Sequence, residues 1–336
     1  MLGALLAICS AATFAFNNAS VRRGVLTGTV GQAMAITVPL GLPIFFLVAV
    51  VSGSLGTLAG FTPKSLAALS AAGILHYVWG RYCNYRATRA IGTNLVAPIQ
   101  QVNLIFTLFL AIWLLGEQLT PLKILGIALV LIGPSVTMRS RRPTVEKEVS
   151  DEKITAIDAE KPVEFAPNYP EGIFFALLSA TGYGFSPILV RVGLEGRGLA
   201  ASVAGGLVAY IASTVVMGLV LLWPGRLRDL WAMRWESAKW FTLSGILVCL
   251  SQMFLYAAMS IAPVTVISPI NRLSILFRLY FSRLLNPEHE MFGGGVIVGT
   301  LVSLTGALAL ALSVDALANL LPLPASILAL LHWHWP

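Results

Sequence analysis

Charge is scarce in this 336-residue chain, with 11% of residues Asp, Glu, Lys or Arg against roughly a quarter in soluble domains. Hydrophobic residues make up 57% and the mean hydropathy is +0.82, which excludes a water-soluble globule and a disordered polymer. Cysteine is nearly absent. Cys9, Cys83 and Cys249 all fall in apolar runs and form no C-x-x-C pair, which excludes a disulfide framework and a thiolate metal site. No G-x-x-x-x-G-K-[ST] loop occurs, so ATP-driven transport by this chain alone is not expected. Acidic residues are missing from the middle of every apolar run, so no carboxylate relay for proton coupling is visible. The four histidines include His332 and His334 two apart at the C-terminal end, which is weak evidence for a metal site. We expect no metal and no cofactor. The net charge of +7 does not point to nucleic acid, because the basic residues sit at the ends of apolar runs, where they orient membrane helices.

What the chain does have is long apolar runs. A membrane span takes about 20 mostly apolar residues, and ten such runs are present: about 2–21, 29–52, 65–85, 93–115, 121–138, 171–192, 199–223, 238–260, 264–285 and 293–314. They are continuous rather than alternating, which predicts helices and not a β-barrel. The first run follows Met1 with no positive n-region and no A-x-A site, so it reads as a span and not as a signal peptide. Residues 139–170 hold seven of the fifteen acids and six of the twenty-two basic residues. This stretch reads as a solvated linker. Residues 315–336 are broken by Pro322 and Pro324 and read as an interfacial tail anchored by Trp333 and Trp335.

The two sides of the linker repeat each other. Residues 10–24, SAATFAFNNASVRRG, match 179–193, SATGYGFSPILVRVG, with Ser10/Ser179, Phe16/Phe185, Arg22/Arg191 and Gly24/Gly193 identical. Further on, Tyr85, Ala87, Pro98, Ile99 and Glu117 answer to Tyr256, Ala258, Pro269, Ile270 and Glu288. Five spans per repeat is an odd number, so the second repeat enters the membrane from the opposite side. The expected fold is therefore an all-α polytopic membrane protein of ten transmembrane helices, built as two inverted five-helix repeats over 1–138 and 171–314. Lys and Arg crowd the loops after spans 1, 3, 5, 7 and 9, which by the positive-inside rule makes that end cytoplasmic and puts both termini outside.

Ionisable and amide side chains inside a membrane are costly and must find partners or water. His76 and Arg81 lie in span 3, and Arg272 and Arg278 in span 9. Polar pairs recur at matching points: Asn17 and Asn18 in span 1 against Ser186 beside Pro187 in span 6, and Gln100 and Gln101 in span 4 against Asn271 and Arg272 in span 9. On an ideal helix His76 and Arg81, five apart, point in different directions. The substrate-binding candidates are Asn17, Asn18, His76, Arg81, Gln100, Gln101, Ser186, Asn271 and Arg272, with arginine suited to an anionic group. The same residues could instead join helices. Aromatics such as Phe14, Tyr77 and Tyr183 could line an apolar pocket. No catalytic residue stands out.

Three stretches then carry a resemblance. LLGEQLTPLKILGIALVLIG (114–133) and GRYCNYRATRAIGTNLVAPI (80–99), with ISPINRLSILF (267–277) in the second repeat, resemble EamA-domain proteins of the drug/metabolite transporter superfamily. The resemblance implies a secondary transporter, often an exporter of small metabolites, with a central cavity bounded by spans 1, 3, 4, 6, 8 and 9. It also implies cytoplasmic termini, which the Lys/Arg bias contradicts. The first-helix glutamate that small multidrug members use for coupling has no counterpart. The expectation is a non-enzymatic transporter in the plasma (inner) membrane, its partners a small-molecule substrate and the bilayer. The alternatives are a membrane-embedded enzyme or lipid-handling protein, or a membrane adaptor acting through the linker.

Overall fold

A computed structural model describes residues 2–115, 120–139, 166–194, 198–261, 270–311 and 324. Glu117, Pro269, nearly all of the expected linker and the tail with His332, Trp333, His334 and Trp335 lie outside them. Among the described residues the protein is helical, with no strand. Every expected apolar run contains helix. The first is α1 (Leu2–Thr27); the second is split into α2 (Val30–Thr37) and α3 (Gly41–Val51). The third runs through α4 (Pro63–Gly73), a widened π-helical segment (Ile74–Gly80) and α5 (Arg81–Ile91). The fourth is α6 (Thr93–Gln100) and α7 (Asn103–Leu115), and the fifth is α8 (Pro121–Arg139). The second repeat gives α9 (Tyr169–Leu194), α10 (Gly198–Leu221), a short α11 (Arg226–Trp231), α12 (Trp235–Ile261), α13 (Ser274–Leu285) and α14 (Gly294–Ala311). Five helical stretches are long and apolar enough to cross a membrane: Leu2–Thr27, Val30–Val51, Tyr169–Leu194, Ala200–Leu221 and Trp235–Leu255. Pro121–Thr137 and Gly294–Leu310 are apolar but shorter.

Packing follows the logic of a lipid solvent, where small residues let helices approach and large apolar ones face outward. On α1 the buried stripe is Ala7, Ala11, Ala15 and Ala19, while Leu2, Leu5 and Ile8 are exposed. The seam between α8 and α14 is made by glycines seven apart. A Cβ on Gly299 would sit 2.6 Å from the Gly133 carbonyl oxygen, and one on Gly306 would sit 2.8 Å from that of Gly126. Helix starts are set locally. Thr29 and Gln32 form a reciprocal capping box at α2, and Thr62 caps α4 ahead of Pro63.

The first helix on each side of the linker packs chiefly against helices from the other side. α1 packs mainly on α12 and α13 of the other repeat, and α9 packs on the third segment (α4 to α5) and on α6 and α7. Hydroxyls stitch α1 to α12. Ser10 and Ser251 each donate to the other's carbonyl oxygen, at 2.8 and 2.9 Å, and Ser244 donates to Asn17 Oδ1 at 2.6 Å. Ser237, Ser244 and Ser251, seven apart, keep to one stripe of α12, and Ser237 bonds Thr27 at 2.8 Å.

Candidate functional site

Three interruptions in helical geometry position the interior polar groups. The first is the π segment. An i→i+5 helix turns less per residue than an α-helix, so His76 and Arg81 are swung toward one face. The ideal-helix expectation that they diverge is thereby corrected: both reach the same aromatic group. The His76 ring lies 4.6 Å from Tyr183 and 5.0 Å from Tyr77, and the Arg81 guanidinium lies 5.0 Å from the Tyr77 ring centre.

The second and third interruptions are a matched pair. α6 gives way to α7 through the i→i+3 bonds Val102 N→Ile99 O and Ile105 N→Val102 O. In the other repeat Leu273 N→Ile270 O and Leu276 N→Leu273 O do the same, each partner 171 residues later. Pro98, inside α6, has no N–H to give, which weakens the helix just before its break.

Around the π segment Tyr77 and Tyr210 stack at 4.1 Å and Tyr210 meets Phe45 at 4.9 Å. His76 Nδ1 lies 2.8 Å from Ser186 Oγ, joining two of the candidates across the repeats. Arg81 is buried. It donates to the Thr37 carbonyl at 2.9 Å and lies within electrostatic reach of Tyr210. Tyr183 lies within electrostatic reach of both Arg81 and Arg278. Arg278, also buried, donates to Gln100 Oε1 at 3.1 Å, and Gln100 Nε2 donates to Asn84 Oδ1 at 2.8 Å and Ser179 Oγ at 3.1 Å. Among the described residues neither arginine has a carboxylate partner within ion-pair distance.

The remaining candidates fall elsewhere or less completely into this cluster. Asn17 is taken up by Ser244, and Asn18 Nδ2 donates to the Phe14 carbonyl at 2.8 Å within its own helix. Both therefore join or trim helices. Gln101 Oε1, Asn103 Oδ1, Arg272 Nε and Arg278 Nε are buried with no hydrogen-bond partner among the described residues. All four belong to the two broken helices. Asn271 is half-buried beside Arg272.

A separate polar centre lies at the end where α1 and α13 finish. Arg22 is fully buried and donates to the His289 carbonyl at 2.6 and 3.2 Å and to the carbonyls of Thr88 and Arg89 at 2.9 Å each. Glu290 faces it at 3.7 Å and accepts from the Thr93 and Asn94 amides at 2.5 and 3.0 Å, capping α6 from the other repeat. Gly92 makes room: its φ of 77° suits glycine, and a Cβ there would meet Glu290 Oε2 at 2.6 Å. Glu288, which the sequence repeat pairs with Glu117, is exposed. The buried acid two residues on has no repeat partner to signal it.

Burial pushes the Glu290 carboxyl above the ordinary carboxylate range, with Arg22 and the two amides pulling the other way. A raised acid favours the protonated folded state, so its contribution to stability should fall as pH rises from the ordinary carboxylate pKa toward the raised one. Neighbouring His289 is shifted down by burial and by Arg22 and Arg23. It therefore acts oppositely, losing stability as pH drops below the ordinary histidine value. Thermal unfolding across pH 4–8 (roughly the range of the two reference pKa values) should show the acid-side gain in the wild type and not in Glu290→Gln. Parallel profiles would refute the assignment.

No curated protein matches the chain. A solved crystal structure described only as that of a protein is similar in fold, with TM-score 0.52 at 16% identity over 92% of this chain and 94% of that one. Residues 1–139 match the model of the EamA-like transporter family. The stretch holding α1 to α8, with the π segment, His76, Arg81 and the first broken helix, is therefore the part of the chain that is similar to the EamA-like transporter family.

Proposed function

We propose that the protein is a secondary transporter, an exporter, of small organic metabolites, working by alternating access in the plasma (inner) membrane. Its ten spans form two inverted five-helix repeats, and the substrate site lies between them. Members of the matched family are transporters rather than enzymes. The reciprocal exchange of α1 and α9 and the matched helix breaks are what a two-fold axis in the membrane plane would produce. The observation that carries the reading is the interior cluster of Arg81, Arg278 and His76, ringed by tyrosines, with no carboxylate within ion-pair distance among the described residues, although Glu290 is within electrostatic reach of Arg278. Cations held by neutral groups in a low-dielectric interior are suited to a ligand that brings the missing charge. The orphaned atoms on the broken helices offer it further hydrogen bonds.

The exchange also changes what moves. α1 is bonded to α12 and α9 to the π segment and α5, so each rocking body contains helices of both repeats.

The test is flux in liposomes against a panel of metabolites, with gradients imposed in both directions. Solute-dependent flux for one chemical class is expected. Absence of flux for every solute under every gradient would overturn the reading.

A further inference from the structure

Two cavities meet at the arginine-rich end of the molecule. The first, about 590 Å³, lies among the loop after α1, the last turn of α5, the start of α9 and α11. The second, about 280 Å³, runs from the same mouth between α2, the π segment and α10, against Met34, Val78, Met217 and Leu221. Tyr82, Arg226 and Asp229 belong to both. The pair is thus one cleft with a polar head and an apolar tail.

Three arginines line the polar part. Arg86 is already engaged: it is ion-paired and hydrogen-bonded to Glu171, and stacked on Phe175 at 4.3 Å. Arg89 and Arg226 are exposed, and among the described residues neither guanidinium has a hydrogen-bond or ion-pair partner. Against them stands the single carboxylate of Asp229. Among the described residues the polar part therefore carries one more positive than negative charge.

The surroundings place this cleft at a membrane surface. Trp223, Trp231 and Trp235, 72%, 88% and 77% exposed, lie before, at the end of and after α11, as side chains of an interfacial aromatic belt do. Val220, which lines the apolar cavity, is itself 43% exposed on α10. A hydrocarbon chain can thus enter the slot sideways from the bilayer.

We propose that this cleft binds an anionic phospholipid of the leaflet on the arginine-rich side, its phosphate against Arg89 and Arg226 and one acyl chain in the slot. Basic residues at a membrane surface favour anionic lipids by about fivefold each. The proposal is independent of what the central cluster transports.

Native mass spectrometry of the purified protein, titrated with dioleoyl phosphatidylglycerol or dioleoyl phosphatidylcholine, tests it. Phosphatidylglycerol should bind at roughly 5- to 25-fold lower concentration, and Arg89→Gln/Arg226→Gln should abolish the preference. Both residues are exposed, so the double variant should keep its melting temperature, which separates lost binding from lost fold. Met217→Trp, filling the slot, should weaken both lipids. Equal binding of the two lipids by the wild type, or a preference that survives the double variant, would overturn the proposal. So would arginine-dependent binding of water-soluble hexyl phosphate without phosphatidylglycerol, which would identify a free solute as the occupant.

Discussion

Arg22→Ala is expected to destabilise the protein by about 3–5 kcal/mol, the usual cost of removing one partner from a buried ion pair. Three carbonyl groups lose their donor, and Glu290 is left buried without its cation. The lost links also join α1, the end of α5 and the loop before α14, so the damage spans both repeats. Arg22→Lys should recover little, because a single ammonium cannot reach three carbonyls in the fixed fork that guanidinium provides. The repeat-related Arg191 makes a sharp control. It is exposed, and Arg191→Ala should cost no more than about 1 kcal/mol. Thermal unfolding in one detergent compares all three. Similar losses at 22 and 191 would show that the buried staple is not what holds this end together.

Arg81→Gln is expected to behave in the opposite way. The wild-type guanidinium is buried with only neutral partners, so removing its charge relieves a desolvation penalty and should leave the melting temperature unchanged or raised. Glutamine keeps a donor for the Thr37 carbonyl. The loss should appear in ligand recognition. A hydrogen bond from a charged group contributes about 1.5–3 kcal/mol, so the ligand found by flux should bind some 10- to 100-fold more weakly. Ligand-induced thermal shift reads the binding directly, and the KM for flux should move in step. A variant that melts early yet binds its ligand normally would make Arg81 a structural residue.

The helical runs were legible because lipid imposes length and apolarity on every span, and Gly, Pro and Thr mark where runs end. Thr29, Thr62 and Gly92 all mark such points. Candidate residues were legible as types but not as neighbours. His76 and Arg81 were separated by ideal helical arithmetic, and no residue between Ile74 and Gly80 announces an i→i+5 turn. Asn17 and Asn18 look alike in sequence. One is bonded across to α12 and the other to its own backbone, a distinction that arises only when helices from both repeats are packed. Arg22 and Arg191 are identical in the alignment and opposite in burial, because only the first lies under the loop that carries Glu290. A repeat preserves residue identity more readily than environment.

The exchange of first helices sets a timetable for assembly. Ser10 and Ser251, which satisfy one another, are 241 residues apart. At about 5–20 residues per second of synthesis, α1 is in place for roughly 10–50 s before its partner exists. Through that interval its buried hydroxyls and amides have only their own helix, lipid or the insertion machinery to turn to. α9, by contrast, emerges to find its partners already made. The N-terminal helix is therefore the part of the molecule most dependent on being sheltered as it is born, and a slowed ribosome would expose it longest.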